Sequence, residues 1–250
     1  MAKLSPEPIC RLTLHRMSSF PSGPLTDLLT SQASRRKREE SLMRRCLGWL
    51  VWSGLILVGA IGTAQAATPN TVLVLGDSLS AAHNIPVQSG WVSLLDARLR
   101  NMVPMWTAVN ASVSGETSLS GCNRLPALLQ KVHPSVLVLE LGANDGLRGL
   151  PLPLLRDNLV AMIDAAQQAK VRVLLVGIEL PVNYGPQYRD GLRAVYADLA
   201  RTKHTALVPF LLDGVALDPA LMQEDGLHPV ARAEPKVLET VWNQLHPLLQ

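Results

Sequence analysis

Thr71-Val72-Leu73-Val74-Leu75-Gly76-Asp77-Ser78-Leu79-Ser80 is the stretch on which the reading of this chain turns. After Thr71 the run is wholly apolar and rich in β-favouring residues, the pattern of a strand buried on both faces. Gly76 breaks the run. Asp77 and Ser78 then follow where a parallel strand delivers its chain to the carboxyl edge of a sheet, the edge at which open α/β sheets bind ligands. Ser78 is thus placed as a nucleophile or, more plainly, as the cap of a following helix.

Working outward, apolar runs alternate with helical patterns at α/β spacing. Residues 90–102 set Trp91, Leu94, Leu95 and Leu99 on one helical face, with Trp91 a core residue. Met105 to Asn110 is a short strand, and 111–117 a loop of small residues containing Gly115. Residues 119–132 follow as a helix made irregular by Gly121 and Pro126. Ser135 to Leu141 is a second buried strand ending in Gly142-Ala143-Asn144-Asp145-Gly146, a turn signal. A helix over 154–169, a strand from Val171 to Ile178, a helix over 187–203 and a strand from Ala206 to Phe210 come next. A helix over 234–249 closes the chain. Five strands with intervening helices predict a parallel sheet covered on both faces, with right-handed crossovers.

The chain has 250 residues, 48% hydrophobic and 17% charged, enough for a sizeable core. Its basic balance is local. Residues 1–66 hold 9 Lys and Arg against 4 Asp and Glu, leaving 14 against 16 in 67–250. The pI of about 8.9 therefore belongs to the leading segment and gives no support to nucleic-acid binding. Met43-Arg44-Arg45, the apolar run from Cys46 to Gly62 and the small-x-small site Ala64-Gln65-Ala66 make a secretory signal pattern over 43–66. Residues 1–42 show no period and are taken as an unstructured extension or a mis-assigned start, and 67–250 as one domain. The expected location is the periplasm or the exterior, after cleavage near Ala66. Of three cysteines only Cys122 lies beyond the leader, and it reads as a small buried hydrophobe.

The chemistry converges on one edge. Three strands deliver loops holding Ser78, Gly115 and Asn144, and a loop near the C-terminus brings Asp225 and His228. A serine is a weak nucleophile until a base takes its proton. His228 can be that base, and Asp225, three residues earlier, can reach the imidazole and fix its tautomer. The backbone N–H groups of Ser78 and Gly115, with the Asn144 side-chain amide, would serve the developing oxyanion. Taken singly, Asp225-Gly226 is a turn and His228 before Pro229 a loop histidine. It is their joint occurrence, in this order, that is specific.

These segments resemble the four blocks of the SGNH (GDSL-type) hydrolase superfamily: GDSLS around Ser78, NASVSGET with Gly115, GAND with Gly142 and Asn144, and DGLHP with Asp225 and His228. The resemblance covers essentially all of 67–250 and is narrower to the periplasmic arylesterase, acyl-CoA thioesterase I and lysophospholipase L1 group. It implies a flavodoxin-like three-layer α/β/α sandwich with a five-stranded parallel sheet. It also implies Ser78, Asp225 and His228 as catalytic residues, with Ser78, Gly115 and Asn144 as the oxyanion hole. Asn183, Tyr184 and Gly185, in a segment like that group's mobile substrate loop, are implied to bind substrate. No metal and no cofactor are implied. Ser120-Gly121-Cys122-Asn123 departs from the plainer segment expected there, but touches none of these positions. His83, after the nucleophile turn, is a candidate for the pocket wall; His133, His204 and His246 read as surface or terminal residues.

The resulting expectation is a serine esterase acting on acyl esters, thioesters and lysophospholipids. It would be a monomer with a small acyl or lipid substrate, transient contact with membrane lipids and no nucleic-acid partner. A carbohydrate O-deacetylase of the same superfamily is the related alternative, and the apolar Leu147, Leu150, Leu152, Val182 and Tyr184 favour an acyl chain over a sugar. A non-catalytic lipid-binding module is the alternative of another class. The presence of Ser78, Asn144 and His228 together weighs against it.

Overall fold

Val72 and Val74 of the first strand face one side of the sheet, and Leu73 and Leu75 face the other; Val136 and Val138 against Leu137 and Leu139 repeat the division one strand over. Side chains of a strand point alternately to its two faces, so a run apolar at every position must be covered twice. The computed structural model describes residues 70–250; the extension at 1–42, the leader at 43–66 and its cleavage site lie outside the described residues.

Among the described residues the strands are β1 (Asn70–Gly76), β2 (Trp106–Asn110), β3 (Val136–Glu140), β4 (Arg172–Val176) and β5 (Ala206–Val208). They form one sheet in the order β2-β1-β3-β4-β5, and every pairing is parallel. The expected α/β fold is therefore observed. The helices are α1 (Trp91–Arg100), α2 (Ser118–Val132), α3 (Ala143–Leu147), α4 (Leu152–Gln168), α5 (Pro186–Lys203) and α6 (Glu234–Leu245). The valine face packs on α1 and α6 through Trp91, Leu95, Leu99, Val237 and Val241. The leucine face packs on α2, α4 and α5 through Leu125, Leu159, Ile163, Leu192 and Leu199. Each such fully buried side chain contributes about 1.5–3 kcal/mol.

Several local expectations change. Helix α2 runs unbroken through Gly121 and Pro126. Gly121 serves packing there, since a Cβ at that position would stand 2.3 Å from the Leu141 side chain. Cys122 is buried in the same layer, at 2% exposure. His133 and His204 close α2 and α5 in the left-handed conformation, at φ of 48° and 53°. The segment 143–147, expected as a turn, is the short helix α3. The chain leaves β1 toward β2 on one side and returns to β3 on the other. The crevice at the carboxyl ends of β1 and β3 is thus the topological switch point, where doubly wound sheets bind ligands.

Candidate active site

Gly76 pairs with Glu140 across β1 and β3, and the close approach of the two explains the glycine. A Cβ at position 76 would lie 2.5 Å from Glu140 Oε2. That oxygen accepts the Asp77 N–H at 3.2 Å and the Ser80 hydroxyl at 2.8 Å. The turn carrying Ser78 therefore rests on a carboxyl from the neighbouring strand. Glu140 is fully buried and its Oε1 has no hydrogen-bond partner among the described residues. Burial, reinforced by the nearby Asp77, pushes its carboxyl well above the usual range. Asp77 is buried too. Its Oδ1 accepts the Leu79 N–H at 3.1 Å and its Oδ2 the Asn144 amide at 3.1 Å. Burial raises this carboxyl to about 6, against the pull of the Leu79 and Asn144 bonds and of His228.

Ser78 Oγ lies 2.8 Å from His228 Nε2, and His228 Nδ1 lies 2.7 Å from Asp225 Oδ2. A carboxylate can only accept, so Nδ1 carries the proton and Nε2 is left to accept from the serine hydroxyl. The spacing of Asp225 and His228 is explained by the other carboxylate oxygen: Asp225 Oδ1 accepts the N–H of Leu227 at 2.8 Å and of His228 at 3.1 Å. Burial pushes the Asp225 carboxyl up, but the bonds from Leu227 and from the ring and N–H of His228 together outweigh it and hold the group at about 2. It is ionised throughout the neutral range.

Gly115 takes φ of 81°, and nothing lies within 4 Å of where a Cβ would be. Its backbone conformation, rather than lack of room, selects glycine. Asn144 lies in the first turn of α3 beside Asp145, whose carboxylate accepts both the N–H and the hydroxyl of buried Ser118, at 2.8 and 2.6 Å. The Asn144 amide donates to Asp77 Oδ2 and also to the Glu116 carbonyl at 3.1 Å. Both of its N–H groups are thus engaged within the protein.

Beside Ser78 and His228 opens a cavity of about 710 Å³. Its apolar lining includes Leu147 after β3, Ile178, Leu180 and Val182 after β4, and Phe210 and Met222 after β5. Asn183, Tyr184 and Gly185, expected at the substrate, are not part of this lining, and neither are Leu150, Leu152 and Tyr184 from the expected acyl surface. The reason lies in what each of the three residues does instead. The Tyr184 hydroxyl is spent on the Leu147 carbonyl at 2.8 Å, Gly185 precedes α5 as its N-cap, and Asn183 is exposed.

His83 does line the cavity, with its ring centroid 4.3 Å from that of His228. Among the described residues, His83, Asp225 and His228 are the group whose donor atoms, all within 4.8 Å of one another, could hold a metal ion. Sequence reasoning missed Gln223. Its side chain donates to the carbonyls of His83 (2.9 Å) and Pro229 (2.8 Å), tying the two histidine-bearing loops together. No sequence signal marks that residue. Glu140, a lone carboxylate ending an apolar strand, did carry one.

A family model for the GDSL-like lipase/acylhydrolase family matches residues 74–234. The chain belongs to that family. Esterase TesA of Pseudomonas aeruginosa is 46% identical over 198 residues, 78% of this chain and 98% of that protein. The protein named thioesterase 1/protease 1/lysophospholipase L1 of Escherichia coli strain K12 is 39% identical over 187 residues, 75% of this chain and 88% of its own length. The crystal structure of TesA superposes with a TM-score of 0.70 at 48% identity, covering 72% of this chain and 99% of that one. As a member of the family, the chain is a GDSL-type ester hydrolase of the SGNH fold.

Proposed function

We propose that the protein is a serine esterase in which Ser78 attacks the acyl carbonyl, His228 takes the serine proton and Asp225 holds and stabilises the imidazolium. The observation that carries this reading is the unbroken relay from Ser78 Oγ to His228 Nε2 at 2.8 Å and from His228 Nδ1 to Asp225 at 2.7 Å. As the Oγ–carbon bond forms, charge develops on the carbonyl oxygen, and the N–H groups of Ser78 and Gly115 with the Asn144 amide receive it. Asn144 does so by exchanging one of its bonds, to Asp77 or to the Glu116 carbonyl, for a bond to the oxyanion. The imidazolium then gives its proton to the leaving alcohol or thiol, and a water, deprotonated by the same histidine, releases the acid from the serine.

An apolar cavity of about 710 Å³ suits an acyl chain better than a sugar ring, which supports esters, thioesters and lysophospholipids over carbohydrate acetates. The names of the Pseudomonas and Escherichia relatives point to the same substrates. We place the enzyme outside the cytoplasm on the signal pattern at 43–66, acting as a monomer that meets lipid substrates at membranes.

Hydrolysis of a p-nitrophenyl ester series from acetate to palmitate, by wild type beside Ser78→Ala, tests the reading. Turnover should fall by about a thousandfold or more in the variant while its circular dichroism is unchanged. A variant that still hydrolyses these esters at a comparable rate sinks the nucleophile assignment. An optimum at acetate would favour the deacetylase.

A further inference from the structure

We propose that His83 and His228 form a binding site for a transition-metal dication of the zinc type, whose occupation withdraws the base and switches the hydrolase off. His83 takes no part in the relay, yet it is built toward it. Its neighbours Ala82 and Asn84 both adopt left-handed backbone, at φ of 58° and 55°, a conformation that non-glycine residues rarely take. Gln223 bonds the His83 carbonyl and the Pro229 carbonyl at once, so both imidazoles are carried on backbone tied together across the site. The rings stand 4.3 Å apart, inclined at 37°.

The donor chemistry suits the ion. Asp225 accepts the Nδ1 proton of His228, the carboxylate–histidine arrangement that orients Nε2 and raises its basicity as a metal ligand. Among the described residues the His83 ring nitrogen is bonded only through the amide of exposed Asn84, at 3.1 Å, a contact that a metal can displace. Two nitrogens at about 2.0–2.1 Å from zinc stand about 3.3 Å apart in a tetrahedral site. One ring nitrogen of each histidine and a carboxylate oxygen of Asp225 already lie within 4.8 Å of one another, not far from that spacing. Water fills the remaining positions. Imidazole donors select zinc, copper and nickel, whereas magnesium and calcium require oxygen ligands.

Inhibition follows because the Nε2 lone pair cannot hold a metal and accept the serine proton together. This last step rests on the reading of His228 as the base; the binding itself does not. Two measurements separate them. Zinc chloride is titrated into the hydrolysis assay of wild type, His83→Phe and His83→Gln, each relative to its own metal-free rate. Zinc binding to Ser78→Ala, with and without the His83 changes, is followed by calorimetry.

We expect inhibition of wild type that a chelator reverses, no comparable effect of magnesium, and a half-inhibiting concentration about tenfold or more higher in both variants. Equal inhibition of all three proteins, or no zinc binding by Ser78→Ala, overturns the site while leaving the esterase reading intact. Binding that depends on His83 but leaves turnover untouched upholds the site and overturns the role of His228.

Discussion

Asp225 shows how much one side chain decides at the residue scale. Its Oδ2 fixes the imidazole tautomer, and its Oδ1 fixes the turn that presents the imidazole. Asp225→Asn replaces an acceptor-only group by one that can donate, which allows the opposite tautomer. We expect kcat on a short-chain ester to fall by about 10⁴ with KM little changed. A loss of less than tenfold in steady-state kinetics would mean that the tautomer is set elsewhere. Asn144 is a contrasting residue, since its two N–H groups are already bonded. Asn144→Ala should lower kcat by about 10²–10³. If KM alone rises, the amide positions Asp77 rather than serving the oxyanion.

At the scale of elements, carboxyls hold the ends of strands and helices together. Glu140 on β3 carries the turn after β1, so Glu140→Ala orphans the Asp77 N–H and the Ser80 hydroxyl at about 1–3 kcal/mol each. Glu140→Gln keeps an acceptor in place and should unfold closer to wild type in urea. Equal midpoints for the two variants would deny the strap its role. Glu234 opens α6 and accepts the N–H of Trp91, the first residue of α1, at 2.8 Å. Burial raises its carboxyl to about 7 against that single bond. The folded state thus binds this proton more tightly than the unfolded chain, whose carboxyl titrates near 4.5. The stabilisation is complete below 4.5 and is lost as pH rises through 7, with a slope of at most about 1.4 kcal/mol per pH unit. Glu234→Gln should flatten that part of the stability curve; a curve with the wild-type slope would assign the pH dependence to another group.

Over the whole molecule, the cavity is lined by segments that follow all five strands, so its volume belongs to the sheet edge rather than to any one loop. Leu147→Trp adds bulk to its apolar wall while leaving Ser78 and His228 themselves unchanged. We expect kcat/KM to drop for long esters and hold for acetate, moving the optimum to shorter chains. An unchanged optimum across the ester series would place the acyl chain outside this cavity.

The strands and their order of burial were legible in the sequence because alternation is a local property: Val72 to Leu75 and Val136 to Leu139 declare two buried faces without reference to the rest of the chain. The Asp225–His228 contact was legible for the same reason, since three residues of backbone suffice to make it. The tertiary structure alone decided what joins distant segments. Ser78 meets His228 across 150 residues, Asp77 rests on Glu140 across 63, and Gln223 reaches His83 across 140. Tyr184, in the segment expected at the substrate, bonds a backbone carbonyl 37 residues away, a contact that no local spacing marks. Spacing and periodicity record which face of an element is buried; which loops share an edge is set by the order of strands in the sheet, and that order is fixed only when the chain packs.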